Sequence, residues 1–168
     1  MLAVAQVKKE DLVTKNTKSP GAETSVTING KNLWIYYHAP SVRGRHIFKG
    51  AGALQPDGSV WRLGADYATV LHTDADLDLN GLAIPKGDYT LYVDTGANPW
   101  QLIVNKQTGQ DGSDYDKSQD LGRVPMKISK NAAPVETYKM TLSQTKGNNG
   151  RLELAWENVV AAVDMTVQ

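Results

Sequence analysis

The ten residues Val60-Trp61-Arg62-Leu63-Gly64-Ala65-Asp66-Tyr67-Ala68-Thr69 put an indole, a guanidinium, a glycine and a carboxylate into one short stretch. Two chemistries are open to them. In a strand, Trp61 and Arg62 project from opposite faces. Gly64 permits a left-handed turn or a close backbone approach. Asp66 can fold back onto Arg62 or accept N–H groups in its own turn. The stretch is then a corner, with Trp61 plugging one end of the fold and Arg62 bridging carbonyls or Asp66. Alternatively, Arg62 clamps an anion in a pocket walled by Trp61. The corner is the favoured reading.

A second cationic group follows Pro40, in Val42-Arg43-Gly44-Arg45-His46-Ile47-Phe48. Two guanidiniums flanking a glycine suit a carboxylate, sulfate or phosphate. The plainer reading is a solvated loop tip anchored by Ile47 and Phe48. A pocket around Arg62 and Asp66 would also recruit Asn105 and a tyrosine, for which Tyr37 is the candidate. The candidate binding residues are therefore Tyr37, Arg43, Arg45, Trp61, Arg62, Asp66 and Asn105.

Other chemistries have weaker footing. His38, His46 and His72 lack the close paired spacing of zinc or copper ligands. Asp74-x-Asp76-x-Asp78-x-Asn80-Gly81 looks like a calcium loop, but Pro85 stands where the bidentate acid belongs. Leu77 and Leu79 alternate with those acids, which reads as a strand with an acidic outer face. No metal and no cofactor is expected. There is no Gly-x-Ser-x-Gly elbow and no phosphate-binding loop.

The elements that must position these residues are short strands. The chain of 168 residues suits one domain. Its 18 basic and 18 acidic residues cancel, leaving no excess charge for nucleic acid. No run of about 18 apolar residues is long enough to span a membrane as a helix. With no cysteine, disulfides and thiolate sites are excluded. Alternation begins at Thr24, and Asn29-Gly30 signals a hairpin into a central strand from Asn32 to His38. Further strands read as Val60–Leu63, Ala68–Thr73, Leu77–Leu79, Tyr89–Val93 and Trp100–Lys106. Thr108 to Asp120 reads as a long surface loop. Gly122–Ser129, Val135–Gln144, Arg151–Glu157 and Val159–Val167 close the chain, the last two separated by a turn at Glu157-Asn158. No amphipathic helix is present. The pattern predicts one all-β domain over residues 24–168, a sandwich or jelly-roll-like barrel of about ten antiparallel strands. A polar arm over residues 1–23 precedes it.

Several blocks in order resemble a bacterial domain-of-unknown-function family, number 2911. They are Tyr37-His38-Ala39-Pro40, Arg43-Gly44-Arg45-x-Ile47-Phe48 and Val60-Trp61-Arg62-x-Gly64-Ala65-Asp66-x-Ala68-Thr69. Leu82-x-x-Pro85-x-Gly87-x-Tyr89-x-Leu91, Trp100-x-x-Ile103-x-Asn105-Lys106 and Leu154-x-Trp156-Glu157 follow. The resemblance spans roughly Pro20 to Gln168. It implies an exported, β-rich protein and no particular activity. Where the family often has Arg before the proline of the first block, this chain has Ala39. Where the family often has Asn-Glu, it has Asp66-Tyr67.

Two functions are compatible with these residues. The first is an exported, non-enzymatic module that binds a small polar ligand, a glycan or another envelope component, as a monomer or weak homo-oligomer. The second is a small hydrolase-like enzyme with its site around Arg45, Arg62 and Asp66. The first is preferred because no nucleophile–base pair can be named. Ala3-x-Ala5 has the small-residue pattern that signal peptidase cuts, with residues 1–5 as the remnant and Gln6 as the mature start. The expected localisation is periplasmic or secreted. Sequencing the mature N-terminus after expression of the natural precursor checks this, and an uncut cytosolic chain would overturn it.

Overall fold

The computed structural model describes residues 18–48, 53–55, 58–110 and 113–168. The Ala3-x-Ala5 pattern and most of the polar arm lie outside them. Among the described residues, eleven strands form two antiparallel sheets, and no barrel closes. They are β1 (Gly21–Ile28), β2 (Lys31–His38), β3 (Val60–Trp61), β4 (Thr69–Thr73), β5 (Leu77–Leu79) and β6 (Leu82–Ile84). β7 (Gly87–Asp94), β8 (Gln101–Asn105), β9 (Asp120–Pro125), β10 (Lys127–Gln144) and β11 (Asn149–Val167) complete the chain. One sheet runs β1-β2-β4-β7-β8-β9, with β3 added to the end of β7. The other runs β10-β11-β5-β6. The only helical turn among the described residues is 3-10, at Lys117–Gln119. The protein is a β-sandwich.

Local chemistry explains the hairpins. Asn29 and Gly30 adopt φ of 52° and 72°, and Asn80 and Gly81 of 47° and 97°. Both pairs have the two left-handed residues of a type I′ turn, whose twist matches that of the flanking strands. β1 starts at Gly21, earlier than alternation alone indicated. A Cβ on Gly21 would meet the Tyr36 hydroxyl at 2.0 Å, so this glycine makes room for a ring lying across the strand pair. Between the sheets, Leu33, Ile35, Leu91 and Leu102 meet Met140, Leu142, Leu154 and Val163, all buried. β10 is an edge strand, and three of its outward N–H groups, from Tyr138 to Leu142, are nonetheless occupied. Tyr138 N donates to Pro40 O at 2.8 Å. Met140 N donates to Tyr37 Oη and Leu142 N to Thr24 Oγ1, each at 3.0 Å. The large sheet thus covers an edge that could otherwise pair with another chain.

Three expectations change. Gly122–Ser129 is not one strand, because the chain breaks at Met126 between β9 and β10. Glu157-Asn158 is not a turn between two strands. β11 is continuous, with Leu152, Leu154 and Trp156 buried before Glu157 and Ala161, Val163 and Met165 buried after it. Glu157 has φ 53°, and the register shifts on both sides of its partner Val135. This is a bulge, which swaps the inward and outward faces of the strand. The long loop after Thr108 also does more than cross the surface. It lies on the outer face of the large sheet, where Thr90, Tyr92 and Asn105 are buried. Gln110 Nε2 donates to Thr90 Oγ1 and Tyr92 Oη, and Asn105 Nδ2 donates to Asp116 O.

The acidic run at Asp74–Asp78 receives backbone N–H groups. Asp74 accepts from Asn32 N, Asp76 from Lys86 N and Asp78 from Gly81 N. No cluster of His, Asp or Glu suited to a metal occurs among the described residues. His72 joins this edge. Its Nδ1 lies 2.6 Å from Asp88 Oδ1 and its Nε2 2.8 Å from Asp74 Oδ1. The imidazolium is the one form in which both nitrogens donate. Its ring stacks on Trp34 at 5.1 Å.

The hydrogen bond from His72 is the chief cause that holds the Asp74 carboxyl below its ordinary value, with burial opposing. A depressed carboxyl stabilises the fold above the unfolded-state value, about pH 4, and that contribution is lost as pH falls through the folded value. Asp74 is well exposed, so the effect is small. A carboxyl-detected NMR titration should show the Asp74 midpoint rising in His72→Gln, and an unmoved midpoint would refute the coupling.

Candidate functional site

The Trp61 segment is built as a corner. β3 has only two residues, paired as Val60↔Asp94 and Trp61↔Val93. The chain then turns through Leu63 at φ 53° and Asp66 at φ 59°. Thr69 Oγ1 donates to Leu63 O at 2.9 Å, and Ala65 N donates to His38 O at 3.1 Å. A Cβ on Gly64 would approach His38 O to 2.8 Å, so the turn can press against the end of β2 only as glycine. Trp61 is 1 % exposed. It stacks on Trp156 at 5.8 Å and meets the edges of Phe48 at 5.5 Å and Tyr138 at 5.1 Å.

Packing on Trp61 fixes its neighbour Arg62, which is half-buried beside a cavity of about 200 Å³. Arg43, Arg45, Lys18, Gln55 and Trp156 also line this cavity, and no carboxylate does among the described residues. Arg43 and Gly44 form a left-handed pair, with φ of 51° and 69°. The loop is tied to β10 by Val42 N donating to Glu136 O and Arg43 N donating to Glu136 Oε1. Arg43 Nη2 donates to Lys18 O at 3.1 Å. Arg45 folds back on its loop, with Nε donating to Val42 O and Nη2 to Ser41 O. Arg62 has no hydrogen-bond or ion-pair partner among the described residues. Two guanidiniums are thus partly committed to carbonyls, and the third is free.

The remaining candidates fall elsewhere. Asp66 is exposed on the turn and forms no ion pair with Arg62. The Tyr37 hydroxyl is taken by Met140 N, and its ring lies edge-on to Tyr138 at 5.4 Å. Asn105 is buried on the outer face of the large sheet. Its Nδ2 donates to Asp116 O and Asp120 Oδ1, and its Oδ1 accepts from Gln107 N. It pins the long loop and lines neither cavity that Arg62 touches. The structure therefore brings together Arg43, Arg45 and Arg62, backed by Trp61, and leaves Tyr37, Asp66 and Asn105 outside that group.

Arg62 also borders a second cavity, of about 430 Å³. Leu54 and Gln55 are shared between the two, and Val60, Tyr92, Ser113 and Tyr115 line only the second. Tyr115 Oη donates to Asp120 Oδ2 at 2.6 Å and accepts from Arg123 Nη2 at 3.1 Å. Burial, reinforced by the Asp120 carboxylate, pushes the Tyr115 hydroxyl up to about 12. Lys18, Gln55, Ser113 and Tyr115 carried no sequence signal for a site. Trp156 did stand in the Leu154-x-Trp156-Glu157 block, where alternation marks it as inward-facing.

A β-sandwich with a cationic cavity at one corner is the class of protein these elements define. A family model described as protein of unknown function (DUF2911) matches residues 19–165. The chain belongs to that family. No curated protein and no solved structure matches it.

The corner and the cavity make separable predictions. Trp61→Ala should cost about 3–5 kcal/mol, from lost transfer energy and the cavity left behind. Arg62→Gln breaks no internal bond and should stay within about 0.5 kcal/mol of wild type. Urea unfolding of both variants checks this. A Trp61→Ala midpoint equal to wild type would refute the corner, and a large loss in Arg62→Gln would mean that Arg62 is structural.

Proposed function

We propose that the protein is a non-enzymatic binding module that holds the anionic group of a small polar ligand between Arg62, Arg43 and Arg45. The observation that carries this reading is the Arg62 guanidinium, unpartnered among the described residues, beside a cavity whose other charged described walls are Arg43, Arg45 and Lys18. Guanidiniums suit carboxylate, sulfate and phosphate because their donors are planar and always charged. Neutral overall charge makes this local field a matter of placement and not of composition. Among the described residues no imidazole or carboxylate lines the cavity, and a general base would need one there. Ala3-x-Ala5 and the absence of cysteine support a site of action outside the cytoplasm.

Calorimetric titration with lactate at fixed, low ionic strength tests the anion reading. Wild type should bind, and the affinity should fall as salt screens the charges. Arg62→Gln should weaken binding about tenfold or more, since a hydrogen bond to a charged group contributes about 1.5–3 kcal/mol. No binding by wild type, or equal binding by the variant, would overturn the proposal.

A further inference from the structure

The cationic cavity does not stand alone. Arg62, Leu54 and Gln55 line both it and the larger cavity beside it. The walls on the two sides differ in kind. The first has Arg43, Arg45 and Lys18. In the second, Arg62 is the one charged residue among the described ones, and the rest of the described wall is aromatic, hydroxyl, amide and aliphatic. A ligand that fills both must carry a negative group at one end and a neutral, hydroxyl-rich body at the other.

The aromatic rings narrow that body further. Trp61 already has its face against Trp156. Tyr92 is 1 % exposed and packs on Tyr115 at 4.7 Å. Neither ring leaves a slot for a flat base to stack in. The described wall instead includes the partly exposed Tyr115, with Ser113 and Gln55. Tyr115 is fixed in place by Asp120 and Arg123, so its hydroxyl is a preorganised acceptor with one lone pair left, its proton being given to Asp120. One hydroxyl held in place at Tyr115, with Ser113 and Gln55 beside amphipathic rings, suits a sugar ring.

We propose that the two cavities form one binding site for an acidic saccharide, with a sugar carboxylate at Arg62 and the adjoining sugar ring in the chamber of Val60, Ser113 and Tyr115. This rests on the anion reading above and names its ligand class. The long loop carrying Ser113 and Tyr115 is then a wall of the site. Its anchoring by Asn105 and Asp120 gains a functional consequence, because it sets the width of the sugar chamber.

The test uses digalacturonate, lactate, maltose and adenosine monophosphate, titrated calorimetrically into wild type, Arg62→Gln, Val60→Trp and Ser113→Trp. Both tryptophan variants are at exposed positions and fill the second chamber without touching the first. Digalacturonate should bind wild type at least tenfold more tightly than lactate, and maltose should bind weakly or not at all. Either tryptophan variant that folds should reduce digalacturonate to the affinity of lactate while leaving lactate unchanged. Arg62→Gln should weaken both acids. If lactate binds wild type and digalacturonate binds no better, the saccharide inference fails and the anion reading stands. Adenosine monophosphate binding as tightly as digalacturonate also defeats the saccharide inference alone. If maltose matches digalacturonate, or neither acid binds, both fail.

Discussion

The contact of Trp61 with Trp156 joins the two sheets at the end where the cavities open. Trp61 comes from β3 of the large sheet and Trp156 from β11 of the small one, with Phe48 and Tyr138 edge-on around them. A strand of two residues has too few ladder bonds to hold itself. Its position depends on the indole it buries. Buried donors oppose this packing, since Trp61 Nε1 and the Tyr138 hydroxyl have no hydrogen-bond partner among the described residues. Each such group costs about 1–3 kcal/mol. Burial of the large side chains, at about 25 cal/mol per Å² over some 150–250 Å² each, is worth about 4–6 kcal/mol per ring before the aromatic pair terms are added. The packing wins, and Arg62, next in sequence, is held at the cavity wall as a result.

The basic loop depends on the same side of the sandwich by another route. β10 would be an exposed edge, but Thr24, Tyr37 and Pro40 take three of its outward N–H groups. The pairing continues past Pro40, where Ser41 bridges Thr137 and Val42 N reaches Glu136 O. Arg43 and Arg45 are therefore set by an extension of a strand ladder and are not carried on a free tip. Tyr37 belongs to the site only through this connection. Its hydroxyl seals the edge whose continuation carries the arginines.

What could be read in the sequence follows from the range of the physics. Type I′ turns are local, so Asn29-Gly30 and Asn80-Gly81 marked their hairpins directly. Trp61 burial and the constraint on Gly64 could also be expected from a strand exit beside a glycine. Glu157-Asn158 misled because a polar pair with one left-handed residue has the same composition as a turn. Only the change in burial phase between Trp156 and Ala161 identifies a bulge, and that needs the partner strand. Asn105 misled for a related reason. Its neighbours in sequence are β8 residues, but its partners Asp116 and Asp120 lie across a loop whose path no periodicity predicts. The convergence of Arg43 with Arg62 was legible as two cationic groups, and their meeting across β10 and β11 was not.

Clustering three guanidiniums and Lys18 around a small cavity carries a self-repulsion that the loop carbonyls reduce. Lys18 O, Ser41 O and Val42 O accept from Arg43 and Arg45, so part of the donor capacity of those two is spent on holding the loop. A carbonyl carries a partial charge and cannot neutralise a guanidinium as an anion can. Arg62 has not even that compensation among the described residues. Removing it should leave the fold intact, and an anion that enters should relieve the repulsion as well as form hydrogen bonds. The proposed anion site would take its affinity from a scaffold that holds the cations together at a cost already met by the aromatic contact behind them.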